Sequence, residues 1–164
     1  ALADVHSRKD LMPESMLYNT LLTLGIYNHG SLMSQVLGEF KVSKIDPKQM
    51  AEVVRQLISK GYFSPASELL DICQKQSVVL DLPLVKLLIQ SGQPQETLLK
   101  AYKELKSYSE SSLEADIFDV AVLTTSPELY LGFLEILLAE QPSSIRQQHF
   151  FPLLVLYSKK GDAE

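Results

Sequence analysis

Cysteine is all but missing from this chain of 164 residues: Cys73 stands alone, so no internal disulfide framework is available. A single thiol fits a reducing, intracellular setting. Its place beside Leu69, Leu70 and Ile72 reads as that of a small buried hydrophobe. Long apolar runs are missing as well. Residues 129–139 and 150–157 are the longest candidates, and both fall short of the ~20 residues that cross a bilayer. No cationic start followed by an apolar stretch marks a signal peptide. The chain opens at Ala1 and closes on Lys160-Gly161-Asp162-Ala163-Glu164, where a further helix is expected to begin, so it reads as a fragment of a longer protein. Basic residues are absent from 107 to 145, a stretch that holds Glu110, Glu114, Asp116, Asp119, Glu128, Glu135 and Glu140. Residues 1–106 carry 12 Lys and Arg against 11 Asp and Glu, so the net charge of −5 is concentrated in the later part. Such a segment repels phosphate backbones. It reads either as a solvated acidic face or as a docking patch, Glu114, Asp116 and Asp119, for a basic partner.

The groups that carry catalysis do not assemble either. His6, His29 and His149 lie far apart, no pair has metal-ligand spacing, and no second cysteine completes a zinc site. His29 reads as a C-terminal turn residue, and His149, beside Phe150 and Phe151, as a packed or surface histidine. Seven glycines are scattered, with no phosphate-cradling loop among them. Asp116 and Asp119 fall one helical turn apart, but without a nearby base they read as a solvated face rather than as an acid–base pair. The sequence therefore predicts no enzyme, no metal and no cofactor.

What the chain does have is helix punctuation. Met12-Pro13-Glu14-Ser15 opens a first helix that Asn28-His29-Gly30 is expected to stop at the glycine. Ser31 is placed to cap a second helix holding Leu32, Met33, Val36, Leu37 and Phe40. Asp46-Pro47-Lys48-Gln49 is a strong start signal, with an acceptor at the cap and proline in the first turn. Met50, Val53, Val54, Leu57 and Ile58 follow at helical spacing and end at Gly61. Ser64-Pro65 starts the partner helix. Asp81-Leu82-Pro83 opens a short helix ending at Gly92, Pro94 opens the next, Ser111 or Ser112 another, and Ser126-Pro127 its partner. The last helix begins at Ser144 or near Pro152. Val78-Val79-Leu80 reads as an inward-packing connector, and no period-2 stretch predicts a strand. Ser111, three residues before Glu114, reads as a plain cap or as a kinase acceptor at a helix start.

The intervals are regular. Gly30, Gly61 and Gly92 are spaced by 31 residues, and Ser64-Pro65 and Ser126-Pro127 by 62. A period in the low thirties with two helices per unit is the mark of an all-α solenoid of about five helix pairs. The units are 13–45, 46–80, 81–110, 111–142 and an incomplete 143–164, within one helical-repeat domain. A non-repeating bundle shares some of these signals.

Leu17-Tyr18-Asn19-Thr20-Leu21-Leu22 resembles the first-helix opening of pentatricopeptide repeats. Residues 156–164 resemble that family's first-helix end and turn, Ala66-Ser67-Glu68-Leu69-Leu70-Asp71-Ile72-Cys73 its second helix, and Ile45-Asp46-Pro47 the junction between repeats. Tetratricopeptide repeats share many of these features. The resemblance implies antiparallel helix pairs in a right-handed superhelix, the first helix of each pair lining the concave side. By family position, base reading would fall to Thr20 and Glu52, with the closing residue at Asp46-Pro47; Glu52 and Pro47 depart from the family pattern.

Two functions follow. The first is a protein-interaction scaffold whose first helices present Gln49, Glu52, Arg55 and Lys86 to a partner, with the acidic stretch as a second contact. The alternative is single-stranded RNA binding through Lys41, Lys44, Lys48, Arg55 and Lys60. Self-association through the apolar face of Leu153, Leu154 and Leu156 is a further expectation.

Overall fold

Asp46 and Gly61 show how this sequence delimits its helices. In the computed structural model, which describes residues 14–39, 45–108 and 112–161, the Asp46 carboxylate accepts the Lys48 N–H at 2.9 Å, and Pro47 opens the helix behind it. That satisfies a backbone donor that a helix start leaves without a partner. At the other end Gly61 turns left-handed at φ 82°. Its N–H donates to the Ile58 carbonyl, and the Tyr62 N–H donates to the Leu57 carbonyl, both at 2.9 Å. This paired closure is a Schellman stop.

Nine α-helices form among the described residues. In the first half they are α1 (Glu14–Ile26), α2 (Gly30–Glu39), α3 (Pro47–Ser59) and α4 (Phe63–Lys75). The second half holds α5 (Leu84–Gln90), α6 (Gln95–Leu105), α7 (Leu113–Leu123), α8 (Pro127–Glu140) and α9 (Phe151–Gly161). No strand occurs among the described residues, so the expected all-α class stands. The chain forms two compact units, Ala1–Leu82 with Tyr108–Glu110 and Pro83–Ser107 with Ser111–Glu164.

Both units share one internal order. In the first, α1 packs on α2 and on α3, while α4 packs on α3 and on α2. First helix therefore lies on first helix, and second on second. The other unit repeats this: α5 packs on α6 and α7, and α8 on α7 and α6, with α9 laid against α8. Met33, Leu37, Met50, Leu57, Ile58 and Leu69 fill the first core, and Leu84, Tyr102, Tyr130 and Phe133 the second. Tyr18 ties α1 to the start of α3, its hydroxyl accepting the Asp46 N–H at 2.8 Å.

Most predicted boundaries hold to a residue or two, with informative departures. The first stop is Asn28, not Gly30. Asn28 takes φ 58°, its N–H reaches the Gly25 carbonyl at 3.1 Å, and the His29 N–H reaches Leu24 at 2.8 Å. Asparagine tolerates the left-handed region, and Gly30 instead begins α2. Equivalent stops then sit at 28, 61 and 92, intervals of 33 and 31. Gly161 is the last residue of α9 rather than a left-handed stop. α4 starts at Phe63, so Ser64 and Pro65 lie in its first turn. The connector after α4 points Val79 outward at 58% exposure while Leu80 and Leu82 are buried. α9 begins at Phe151 after two 3-10 turns, Pro142–Ser144 and Gln147–Phe150. Phe40, Lys41, Lys44 and Ser111 lie outside the described residues, and Ser112 caps α7 by accepting the Ala115 N–H at 3.2 Å.

Gly25 and Gly132 each mark a close contact with a leucine of a neighbouring helix, and they predict opposite responses. A Cβ on Gly25 of α1 would stand 2.8 Å from a methyl of Leu57, which is fully buried and has nowhere to go. A Cβ on Gly132 of α8 would stand 2.7 Å from a methyl of Leu99, which is half-buried beside an open groove. Gly→Ala in a helix gains about 1 kcal/mol of propensity, while overpacking costs about 1–3 kcal/mol. Urea unfolding should therefore show Gly25→Ala less stable than the parent and Gly132→Ala as stable or more so. Equal losses at both sites would refute the distinction.

Candidate functional site

The residues singled out for a partner fall on surfaces of different character. Gln49, Glu52 and Arg55 share α3, whose start is doubly pinned by the Asp46 cap and the Tyr18 hydroxyl. Gln49 is exposed, and Glu52 and Arg55 are half-exposed. The Glu52 carboxylate takes the Arg55 guanidinium and, at 3.2 Å, the Gln56 amide. The face is thus an ordered polar strip in which the arginine charge is already balanced. Lys86 is exposed on α5, in the other unit.

Of the base-reading positions implied by the resemblance, Asp46 and Glu52 are committed locally. Asp46 is engaged as the cap of α3, and Glu52 by Arg55 and Gln56. Thr20 borders a shallow hollow of about 270 Å³ along α1, with Met16, Asn19, Thr23 and Leu24. The Thr23 hydroxyl donates to the Asn19 carbonyl at 2.8 Å. Of the lysines grouped with Arg55, Lys48 and Lys60 are exposed.

In the second unit the acidic patch does not survive as expected. Asp116 is 1% exposed, and only Glu114 and Asp119 reach the surface. The reason is helical phase. Ile117 and Val120 face the core, and Asp116 lies on the same side of α7. Its carboxylate accepts the Tyr102 hydroxyl at 2.7 Å and pairs with the Lys106 ammonium, both from the α6 side. Lys106 lies 5.8 Å from the centre of the Tyr102 ring, and that ring meets Phe133 of α8 edge-on at 5.1 Å. Burial, then the Asp116 carboxylate, push the Tyr102 hydroxyl far above its ordinary range. It therefore stays a donor throughout the working pH range. Sequence reasoning missed this cluster: helical phase sets Asp116 beside Ile117 and Val120, but its meeting with Tyr102 and Lys106 spans fourteen and ten residues.

A groove of about 350 Å³ opens between α6 and α8. Leu99, Gly132, Ile136 and Ala139 line it, with Lys103, Glu135 and Glu140 as its charged groups. The bare backbone of Gly132 lets Leu99 approach, which gives the groove its floor.

His29 follows the Asn28 stop, as expected of a turn residue. The His149 ring accepts the Arg146 N–H at 3.0 Å through Nδ1, and its carbonyl accepts the Tyr130 hydroxyl at 2.6 Å. His6 lies outside the described residues. Among the described residues no three of His, Cys, Asp and Glu gather as metal ligands, and no helix is long and apolar enough to cross a membrane. The apolar surface of α9 also differs from expectation: Leu153 is buried and Leu156 half-buried, while Phe151, Leu154 and Val155 face outward.

Cys73 is buried in α4, and burial pushes its thiol up to about 12. The thiolate is the reactive form, so a thiol reagent at pH 8 should leave the native chain unlabelled and label it fully in denaturant. Rapid native labelling would show that the thiol is open to solvent.

Compared with family models, curated proteins and solved structures, the chain finds no match.

Proposed function

We propose that this chain is a non-enzymatic helical-repeat module, an α-solenoid of antiparallel helix pairs of the pentatricopeptide and tetratricopeptide kind, that works as a protein-binding scaffold. One observation carries the reading: both units use the same packing order, first helix on first and second on second, and the left-handed stops that follow α1, α3 and α5, at Asn28, Gly61 and Gly92, are spaced 33 and 31 residues apart. A repeated pair cannot bury its apolar side alone, so such pairs stack on neighbours and leave an extended polar face for a ligand. In this reading the ordered strip Gln49–Glu52–Arg55 offers that face in the first unit, and exposed Lys86 of α5 is a separate partner contact in the second. The acidic residues Glu114 and Asp119 favour a basic protein partner.

RNA binding is the weaker reading, since Glu52 balances the Arg55 charge and leaves the strip with no net positive charge for a phosphate backbone. The test separates the two. Captured partners should survive nuclease, and Glu52→Lys with Arg55→Glu should weaken their capture without changing helix content. Salt-sensitive binding to a single-stranded RNA pool, lost in the same variant, would instead establish the RNA reading.

A further inference from the structure

α7 and α9 each carry a second apolar strip, on the side away from the core. On α7 the inward side is Asp116, Ile117 and Val120. A half-turn away, Ala115, Phe118 and Val122 are spaced i, i+3, i+7 along one line. Phe118 is 66% exposed and Val122 63%. Exposed Glu114 flanks this strip on one side and half-buried Asp119 on the other. On α9, Leu153 packs inward, and the ammonium of Lys160 is held by Glu128 of α8. The opposite side presents Phe151, Leu154 and Val155 at i, i+3, i+4, with Leu154 66% exposed. Exposed Lys159 follows Val155 by one turn.

Isolated exposed apolar residues are ordinary, but two aligned strips in one unit are not. They are also unlike in charge: the α7 strip has an acidic rim, and the α9 strip ends at a lysine. A strip that met its own kind would set Glu114 and Asp119 against carboxylates, or Lys159 against lysine. The α7 strip against an α9 strip instead joins apolar to apolar and anion to cation. Within one chain α9 is committed to α8, and its outward strip points away from that contact.

We propose that the outward strip of α7 receives the outward strip of α9 from a second copy of this chain, so that the protein self-associates through a heterologous helix-to-helix contact. Phe118 and Val122 meet Phe151, Leu154 and Val155, and Lys159 sits against the acidic rim. Closing the contact twice around a two-fold axis gives a dimer, and a rotation that does not close gives larger assemblies. The inference goes beyond the scaffold reading and does not depend on it.

Sedimentation velocity on the purified chain over a concentration series tests it. The expected result is mass action between one chain and two or more. Phe118→Asp and Leu154→Asp, both at exposed positions, should each weaken association at least tenfold with an unchanged far-UV spectrum. Mixing the two variants should restore association, because one intact α7 strip then meets one intact α9 strip. Lys159→Glu should weaken it, and Lys159→Glu with Glu114→Lys should recover it. A chain that stays monomeric at every concentration overturns the proposal. So does an assembly indifferent to either aspartate, or a mixture of the two variants no more associated than each alone. Those last results would give the strips to a different occupant.

Discussion

Asp116→Ala is expected to lower stability by about 3 kcal/mol, seen as a fall of roughly 1–2 M in the urea midpoint if the denaturant slope is ~2 kcal/mol per M. The magnitude follows from what the carboxylate holds. Removing one member of a buried ion pair costs about 3–5 kcal/mol when the other charge is stranded. Lys106 is not fully stranded, because 15% of its side chain is exposed and its ammonium can move toward water. The Tyr102 hydroxyl has no such freedom, and an unsatisfied buried donor costs about 1–3 kcal/mol. Alanine also returns a few tenths of a kcal/mol in helix propensity. Tyr102→Phe should cost less, about 1 kcal/mol, since it deletes one hydrogen bond and keeps the ring against Phe133. The order matters more than either value. Should Tyr102→Phe prove as damaging as Asp116→Ala, the carboxylate is not what holds α6 to α7.

Leu57→Ala should cost about 3 kcal/mol, within the 2–5 kcal/mol typical of deleting a buried leucine. Leu57 is fully buried on α3, and its methyls lie where Gly25 of α1 has no side chain. The resulting void falls between two first helices, so part of it can be refilled from the other side. Gly25→Ala, damaging in the parent chain, should turn neutral or stabilising in the Leu57→Ala background. A double-mutant cycle measures that coupling directly. Additive effects would mean that the two residues do not share the space the structure gives them.

Much of the secondary structure was legible because helix ends are written in short-range chemistry. Asp46, Ser112 and Ser126 all cap as their sequence context implies, each accepting an N–H two or three residues on. Gly61 and Gly92 were recognisable as stops because only glycine takes the left-handed region at little cost. Asn28 is less legible: asparagine also tolerates that region, but Gly30 two residues on carries the stronger stop signal. Ser77, at φ 58°, stops α4 with nothing in its side chain to announce the role. Its N–H reaches Gln74 at 3.0 Å, and the Val78 N–H reaches Cys73 at 2.8 Å. Replacing Ser77 with glycine should therefore stabilise the chain by about 1 kcal/mol in urea unfolding, since the backbone strain of a left-handed serine is removed.

Side-chain destinations were less legible. Charge composition put Asp116 with Glu114 and Asp119, but helical phase puts it with Ile117 and Val120, and burial follows phase. Lys106 and Tyr102 meet it only through a tertiary contact across ten and fourteen residues, which no local pattern encodes. The split of α9 into an inward Leu153 and an outward Leu154 likewise depends on where α8 lies.

The lone sulfur of the first unit has a practical use that follows from its burial. Cys73 sits on α4 with no competing thiol anywhere in the sequence. Under conditions where the closed form is silent, each labelling event records one excursion of that helix into solvent. The protein thus carries its own stopwatch for the breathing of α4, with no probe to be engineered in.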